Sequence, residues 1–333
     1  MRIKQWAWVL LAVFGLSGCE EFGGAISPKT LAAMQARTRR LTEIVGELKK
    51  QGHSVAIETP STNEVRVPLR FKGTHPYIDV DTASGGRILM LFDTGASLSV
   101  MGPRDALKHG ALFVDSRDVR DVMAEGIFGT KAFRPALVPQ LKIGKWSVGA
   151  VPILVPAESA VVTPGSSLKI VGFNVPLKVC SYVTVNYLKK EAVFGFRQPY
   201  QPSGYPHVRQ SPISFVRGVP TARLSAGNVS WDATLDTGSF NGIEINEVVA
   251  HAMGRSKEGI GVSGLRLGGV GGVKSSEEIG LRYIHVPSLE ACGMVHRNAQ
   301  IDISPGKPRV GSFFFQDYKV TFDILNRKLW LEW

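Results

Sequence analysis

The chain has 333 residues, of which 44% are hydrophobic and 20% charged. That composition suits a folded globular protein of about two domains and excludes a disordered chain, while the abundance of glycine (36) and proline (19) disfavours a long-helix bundle. The net charge is +11, but the basic residues are scattered and no nucleic-acid motif accompanies them, so no nucleic-acid partner is expected.

The first nineteen residues read as an export address. Arg2 and Lys4 head an apolar core from Trp6 to Leu16, which is too short to span about 30 Å of hydrocarbon as a helix. The ending Leu16-Ser17-Gly18-Cys19 resembles a bacterial lipoprotein lipobox. That resemblance implies a signal peptide over 1–18, cleavage before Cys19 and lipidation of Cys19. An acyl chain such as palmitate would then hold the mature protein to a membrane without spanning it. Glu20 rather than Asp follows the cysteine, which implies the outer membrane of a bacterial cell envelope, facing the periplasm. Two cysteines remain, Cys180 and Cys292. Export permits a disulfide between them, and the sequence leaves the bridge open.

Residues 19–60 form the anchor and a spacer. Within them Leu31, Met34, Leu41, Ile44, Val45 and Leu48 recur at roughly helical spacing, with Arg37, Arg39, Arg40, Lys49 and Lys50 on the remainder. The pattern predicts an amphipathic helix over 28–51, packed on the body or serving as a spacer. A pro-segment laying its basic residues over an acidic site is the second reading.

From residue 65 onward, short runs of Val, Ile, Leu and Phe alternate with Gly, Pro, Asn and Asp, the pattern of an all-β protein. The chain also repeats itself. Leu91-Phe92-Asp93-Thr94-Gly95-Ala96-Ser97 returns as Thr234-Leu235-Asp236-Thr237-Gly238-Ser239-Phe240. Pro76 lies 17 residues before Asp93 and Pro220 16 before Asp236, while Gly172 of Ile170-Val171-Gly172 lies 79 after Asp93 and Gly311 of Arg309-Val310-Gly311 75 after Asp236. Val183–Lys190 likewise matches Val320–Arg327, each followed by a second strand (Ala192–Phe196 and Leu329–Trp333). The spacing divides the chain into a lobe at 61–197, a proline-rich linker at 198–210 and a lobe at 211–333.

Each Asp-Thr-Gly sits at the end of an apolar strand, where glycine permits a tight turn. A pseudo-twofold arrangement would bring the two turns face to face. Two carboxylates about 3 Å apart cannot both ionise easily, so the pair shares a proton. A water between them is then the nucleophile, with one carboxylate as general base and the other as acid toward the peptide carbonyl. Neither a metal nor a cofactor is required. Thr94 and Thr237 are expected to hydrogen-bond across the lobes. Gly95 and Gly238 are expected to offer N–H groups to the carboxylates, with Ser239 as further support.

These residues resemble the retropepsin-like aspartic proteases, with both halves in one chain; the likeness covers about 65–333. It implies a two-lobed pepsin- or retropepsin-like fold with pseudo-twofold symmetry, preceded by an N-terminal helix. The implied activity is endopeptidase, with Asp93 and Asp236 catalytic and a peptide or protein as substrate. Leu267-Gly268-Gly269-Val270-Gly271-Gly272-Val273 resembles that family's glycine-rich flap, and Glu125-Gly126-Ile127-Phe128-Gly129 is placed as its partner. Departures are Ala96 in the retroviral manner against Ser239 in the pepsin manner, Phe240-Asn241 where a small hydroxyl residue is usual, and no pepsin-like flap tyrosine. The second functional class is an inactive lipoprotein that binds or scaffolds peptides on the same fold.

Three competing constellations are set aside. Ser166-Ser167-Leu168-Lys169 is an SxxK without a following KTG. The Gly268–Ser275 stretch lacks an adjacent Gly-Lys-Ser and lies in a β context. His285, Cys292 and His296 match no zinc spacing, and His53, His75, His109, His207 and His251 stand alone in the sequence.

Overall fold

The computed structural model describes residues 26–126, 129–157, 169–269 and 272–333. The segment expected to be an export signal, with Cys19, lies outside the described residues. So do Ile127 and Phe128, Val270 and Gly271, and Ser166–Leu168.

The chain is mostly β and two-lobed, with short helices at the N-terminus. Strand formation follows period-two alternation. In Glu64–Lys72 the residues Val65, Val67 and Leu69 turn inward, while Glu64, Arg66 and Pro68 face out. In lobe one, His75–Thr82 pairs antiparallel with Arg87–Asp93. Lys169–Gly172 lies parallel to Arg87–Asp93 and antiparallel to Ser99–Met101, so it threads between the strand entering the Asp93 turn and the strand leaving it. Val151–Pro156 and the hairpin Val122–Gly126/Gly129–Val138 continue the sheet.

Lobe two is built alike. Val219–Ala226 pairs with Val229–Asp236, and Arg309–Gly311 threads between that strand and Ile243–Ile245. Met294–Ile303 and Arg282–Ala291 follow, and Ser225↔Glu290 closes the strands into a ring.

The lobes share a six-stranded antiparallel sheet. Its order is Glu64–Lys72, Glu191–Gly195, Tyr182–Asn186, Lys319–Asp323, Lys328–Glu332 and Val208–Pro212. One face carries Val183, Val185, Phe194, Val320, Phe322, Leu329 and Leu331 into the main core. Thr184 and Thr321, register partners at the centre of the sheet, join by a hydrogen bond of 2.8 Å on the other face. The last residues of the proline-rich connection thus form a strand of this sheet.

The N-terminal segment differs from the single helix expected over 28–51. It forms two helices, Pro28–Ala36 and Leu41–Lys50, with Thr38–Arg39 between them pairing parallel with Phe113–Val114. The break has a local cause. Asp118 accepts the Leu41 N–H at 2.6 Å and pairs with Arg40 at 2.6 Å, fixing the second helix's start. Met34 enters the main core, while Leu41, Ile44 and Leu48 pack on Val114, Leu137 and Ala150 of lobe one. Cys180 and Cys292 are both buried and free. Burial pushes the Cys292 thiol up to about 12 and the Cys180 thiol higher still.

The threonine pair tests the shared sheet. Thr184→Val removes one partner of the Thr321 hydroxyl, which keeps its bond to Tyr200, and is expected to cost about 1 kcal/mol. Thr184→Val with Thr321→Val is expected to cost less than the sum of the two single changes. A double-mutant cycle in urea measures the coupling; strict additivity would show that the pair does not join the lobes.

Candidate functional site

Both Asp-Thr-Gly turns lie at the lobe interface, and the residues expected there meet. Asp93, Thr94, Asp236 and Thr237 have no solvent exposure. The contacts are reciprocal across the pseudo-twofold. The Thr94 N–H donates to Thr237 Oγ1 and the Thr237 N–H to Thr94 Oγ1, each at 3.0 Å. Each hydroxyl donates in turn to the opposite lobe, Thr94 Oγ1 to the Leu235 carbonyl and Thr237 Oγ1 to the Phe92 carbonyl, both at 2.6 Å. Four hydrogen bonds therefore fix the separation of the turns.

The glycines set how closely the carboxyls approach. A methyl group on Gly95 would overlap the Asp236 carboxyl, and one on Gly238 the Asp93 carboxyl. Only a residue without Cβ lets each carboxyl lie over the opposite turn. The Ala96 N–H donates to Asp93 Oδ1 at 2.9 Å, with a second backbone bond from Gly95. The Gly238 N–H donates to Asp236 Oδ1 at 2.9 Å. Asp93 is also hydrogen-bonded to Asp236 through the side chains.

Burial, then the charge of Asp236 and the hydrogen bond to it, push the Asp93 carboxyl well above its ordinary value. Two backbone N–H groups oppose this without outweighing it. The pair therefore retains a proton under conditions where a solvated carboxylate has lost its own. Tyr187 is buried close enough to feel the Asp236 charge, and burial together with that charge keeps its phenol neutral.

The threading segments lock both turns. The Phe173 N–H donates to the Ala96 carbonyl and the Ser312 N–H to the Ser239 carbonyl, each at 2.7 Å, and Ser312 Oγ adds a second bond to Ser239. Ser239 thus supports its turn through its backbone carbonyl. Asn241 is also buried, and its amide donates to Glu244. Each apolar-Gly glycine is required by contact, since a methyl on Gly172 would meet Leu98 and Ala96, and one on Gly311 would meet Asn241 and Ser239.

Both flap segments are β-hairpins. Gly126 pairs with Gly129 in lobe one. In lobe two Gly268 pairs with Val273 and Gly269 with Gly272, a hairpin rather than a phosphate-binding turn. The lobe-one hairpin contributes Val122 and Phe133 to a cluster with Ala96 and Leu98, which sets its base against the Asp93 turn.

Two contacts were not legible in the sequence. His75 does not stand alone: it is buried, and its Nε2 lies 3.1 Å from the Gly238 carbonyl, so that nitrogen carries the proton. Beside it Thr74 Oγ1 meets Ser312 Oγ at 2.6 Å. A hairpin turn of lobe one thereby braces the Asp236 turn of lobe two. The available signal was the alignment of His75-Pro76 with Val219-Pro220 ahead of each Asp.

A family model described as aspartyl protease matches residues 78–170, which include the Asp93 turn. No curated protein matches the sequence. Among solved structures, the chain is similar to the aspartic proteinase from Irpex lacteus, at 12% identity over 81% of this chain and 97% of that one, with a TM-score of 0.49. It is also similar to Basic 7S globulin from soybean, at 11% identity over 81% of this chain and 95% of that one, with a TM-score of 0.50. The fold is the two-lobed pepsin-like one. The family match falls within the first lobe of that fold and takes in the Asp93 turn.

The raised carboxyl carries a stability signature independent of turnover. A group whose folded pKa lies above its unfolded value of 3.8 costs stability as pH rises through the folded pKa, and costs nothing below the unfolded one. Asp93→Asn is therefore expected to raise the unfolding temperature at neutral and alkaline pH, with the gain vanishing below pH 3.8. Thermal scans across pH check this; a gain of the same size at every pH would contradict it.

Proposed function

We propose that the protein is an aspartic endopeptidase, with Asp93 and Asp236 as its catalytic dyad, anchored to the bacterial cell envelope through a lipid on Cys19. The observation that carries the catalytic part is the pair of buried carboxyls held face to face by the reciprocal threonine bonds.

The chemistry follows from the shared proton. A water between the carboxyls gives one proton to the ionised carboxylate as its oxygen attacks the scissile carbonyl. The protonated carboxyl donates its proton to the carbonyl oxygen, giving a neutral tetrahedral diol. Collapse of the diol breaks the C–N bond: the proton held by the base passes to the leaving nitrogen, and a diol hydroxyl returns its proton to the other carboxylate as the carbonyl re-forms. The reaction forms no covalent enzyme intermediate, and the dyad ends with the one proton it began with. The substrate lies extended across the lobe interface beneath the two glycine-rich hairpins, whose backbone edges can pair with it. Thr94, Gly95, Thr237, Gly238 and Ser239 position the acids.

Purified full-length protein is expected to cleave a denatured protein substrate. Asp93→Asn and Asp236→Asn are each expected to lower kcat/KM about a thousandfold or more. The wild-type profile is expected to fall on the alkaline side as the shared proton is lost. Wild-type cleavage by Asp93→Asn would refute the dyad. For the anchor, the protein is expected to incorporate a labelled fatty acid in cells, and Cys19→Ala to abolish the label; labelling that survives Cys19→Ala would refute that attachment.

A further inference from the structure

The two lobes share a backbone plan but differ sharply in one row of side chains. Two residues before each catalytic Asp, on the same face of its strand, a line of register partners crosses five strands. In lobe one it runs Tyr77, Leu91, Ile170, Val100 and Leu154. In lobe two the matching line runs Thr221, Thr234, Arg309, Glu244 and Asp302.

The lobe-one row is apolar. Leu91, Ile170, Val100 and Leu154 join Ala96 and Leu98 of the Asp turn and Val122 and Phe133 of the hairpin, with Tyr77 packed alongside. The lobe-two row is polar throughout and largely buried. Arg309 and Glu244 are each 1% exposed and pair at 3.3 Å. Glu244 is fully engaged, accepting also from Asn241 and Ser304. Arg309 is not. Its Nε donates to the Lys307 carbonyl at 3.3 Å and its Nη2 faces Glu244, but its buried Nη1 has no partner among the described residues. A buried donor left unmade is costly, so this arrangement is suited to a ligand that completes it.

On the peptidase reading, a bond cut by the acid pair lies between the two lobes that contribute the acids, so its two flanking side chains fall on different lobes. We propose that the protein selects its cleavage site by this asymmetry: the lobe-one row takes an apolar side chain and the lobe-two row takes a carboxamide, Asn or Gln. The carboxamide oxygen accepts from Arg309 Nη1, and its NH₂ donates toward the Asp302 carboxylate at the end of the row. A substrate carboxylate fits less well, because the Arg309–Glu244 pair is already neutral and Asp302 would oppose a further negative charge. A purely apolar side chain would leave Nη1 buried and unpaired.

This inference rests on the peptidase reading, and its test separates the two. Full-length wild-type protein is incubated with peptides randomised at both positions flanking a central bond, and the new termini are sequenced. The expected profile has an apolar residue on one side of every cut and Asn or Gln on the other, favoured at least tenfold over Leu in kcat/KM. The double variant Arg309→Met with Glu244→Gln removes both members of the buried ion pair together, and it is expected to replace the carboxamide preference with an apolar one while the other flank keeps its own. Cleavage by wild type with equal preference for apolar residues on both flanks overturns the proposal alone, as does a double variant that retains the carboxamide preference. No cleavage of any library member overturns the peptidase reading, and this proposal with it.

Discussion

The structure depends on a reciprocal grip between two threonines. Each gives its N–H to the other's hydroxyl, and each hydroxyl reaches across to a backbone carbonyl of the opposite lobe. All four bonds are buried, so breaking one side strands buried donors. The grip fixes the turns; the turns, lacking Cβ at Gly95 and Gly238, let the carboxyls close on each other. Everything chemical about the site follows from that enforced proximity. An isolated pair of acids would ionise and repel, whereas this pair is held together and keeps a proton instead.

The surrounding fold serves to hold that contact. Phe173 and Ser312, which directly follow the threading segments 169–172 and 309–311, bond to the carbonyls of Ala96 and Ser239, the residues just past each glycine. The shared sheet ties the lobes with Thr184 and Thr321 at its centre. His75 and Thr74 add a brace from one lobe to the other's turn. The supports come from elements far apart in the chain, so the geometry needs both lobes assembled.

The sequence showed the local parts of this plan and missed the long-range ones. The Asp-Thr-Gly turns, the apolar-Gly segments and the glycine-rich hairpins are written in a few adjacent residues, and composition marks them. The break in the N-terminal helix depends on Asp118 and on pairing with Phe113, neither of which periodicity over 28–51 can register. His75 looked isolated because its partner, the Gly238 carbonyl, is 163 positions away. The buried pairing of Glu244 with Arg309 joins residues far apart in the chain, and no local pattern marks it. Cys292 occupies a tight hairpin turn at φ 52° and Cys180 ends a short helix; each thiol is buried in the core without meeting the other.

The same backbone thus carries two different linings, apolar beside Asp93 and charged beside Asp236, around one shared acid pair. The most direct measurement of that pair is carbon NMR titration of the aspartate side-chain carboxyls, with Asp93→Asn and Asp236→Asn variants assigning the two signals. Two coupled steps are expected, the upper one well above 3.8, with the coupling lost in either variant. Two independent titrations near the ordinary carboxylate value, unchanged when the other acid is replaced, would contradict it.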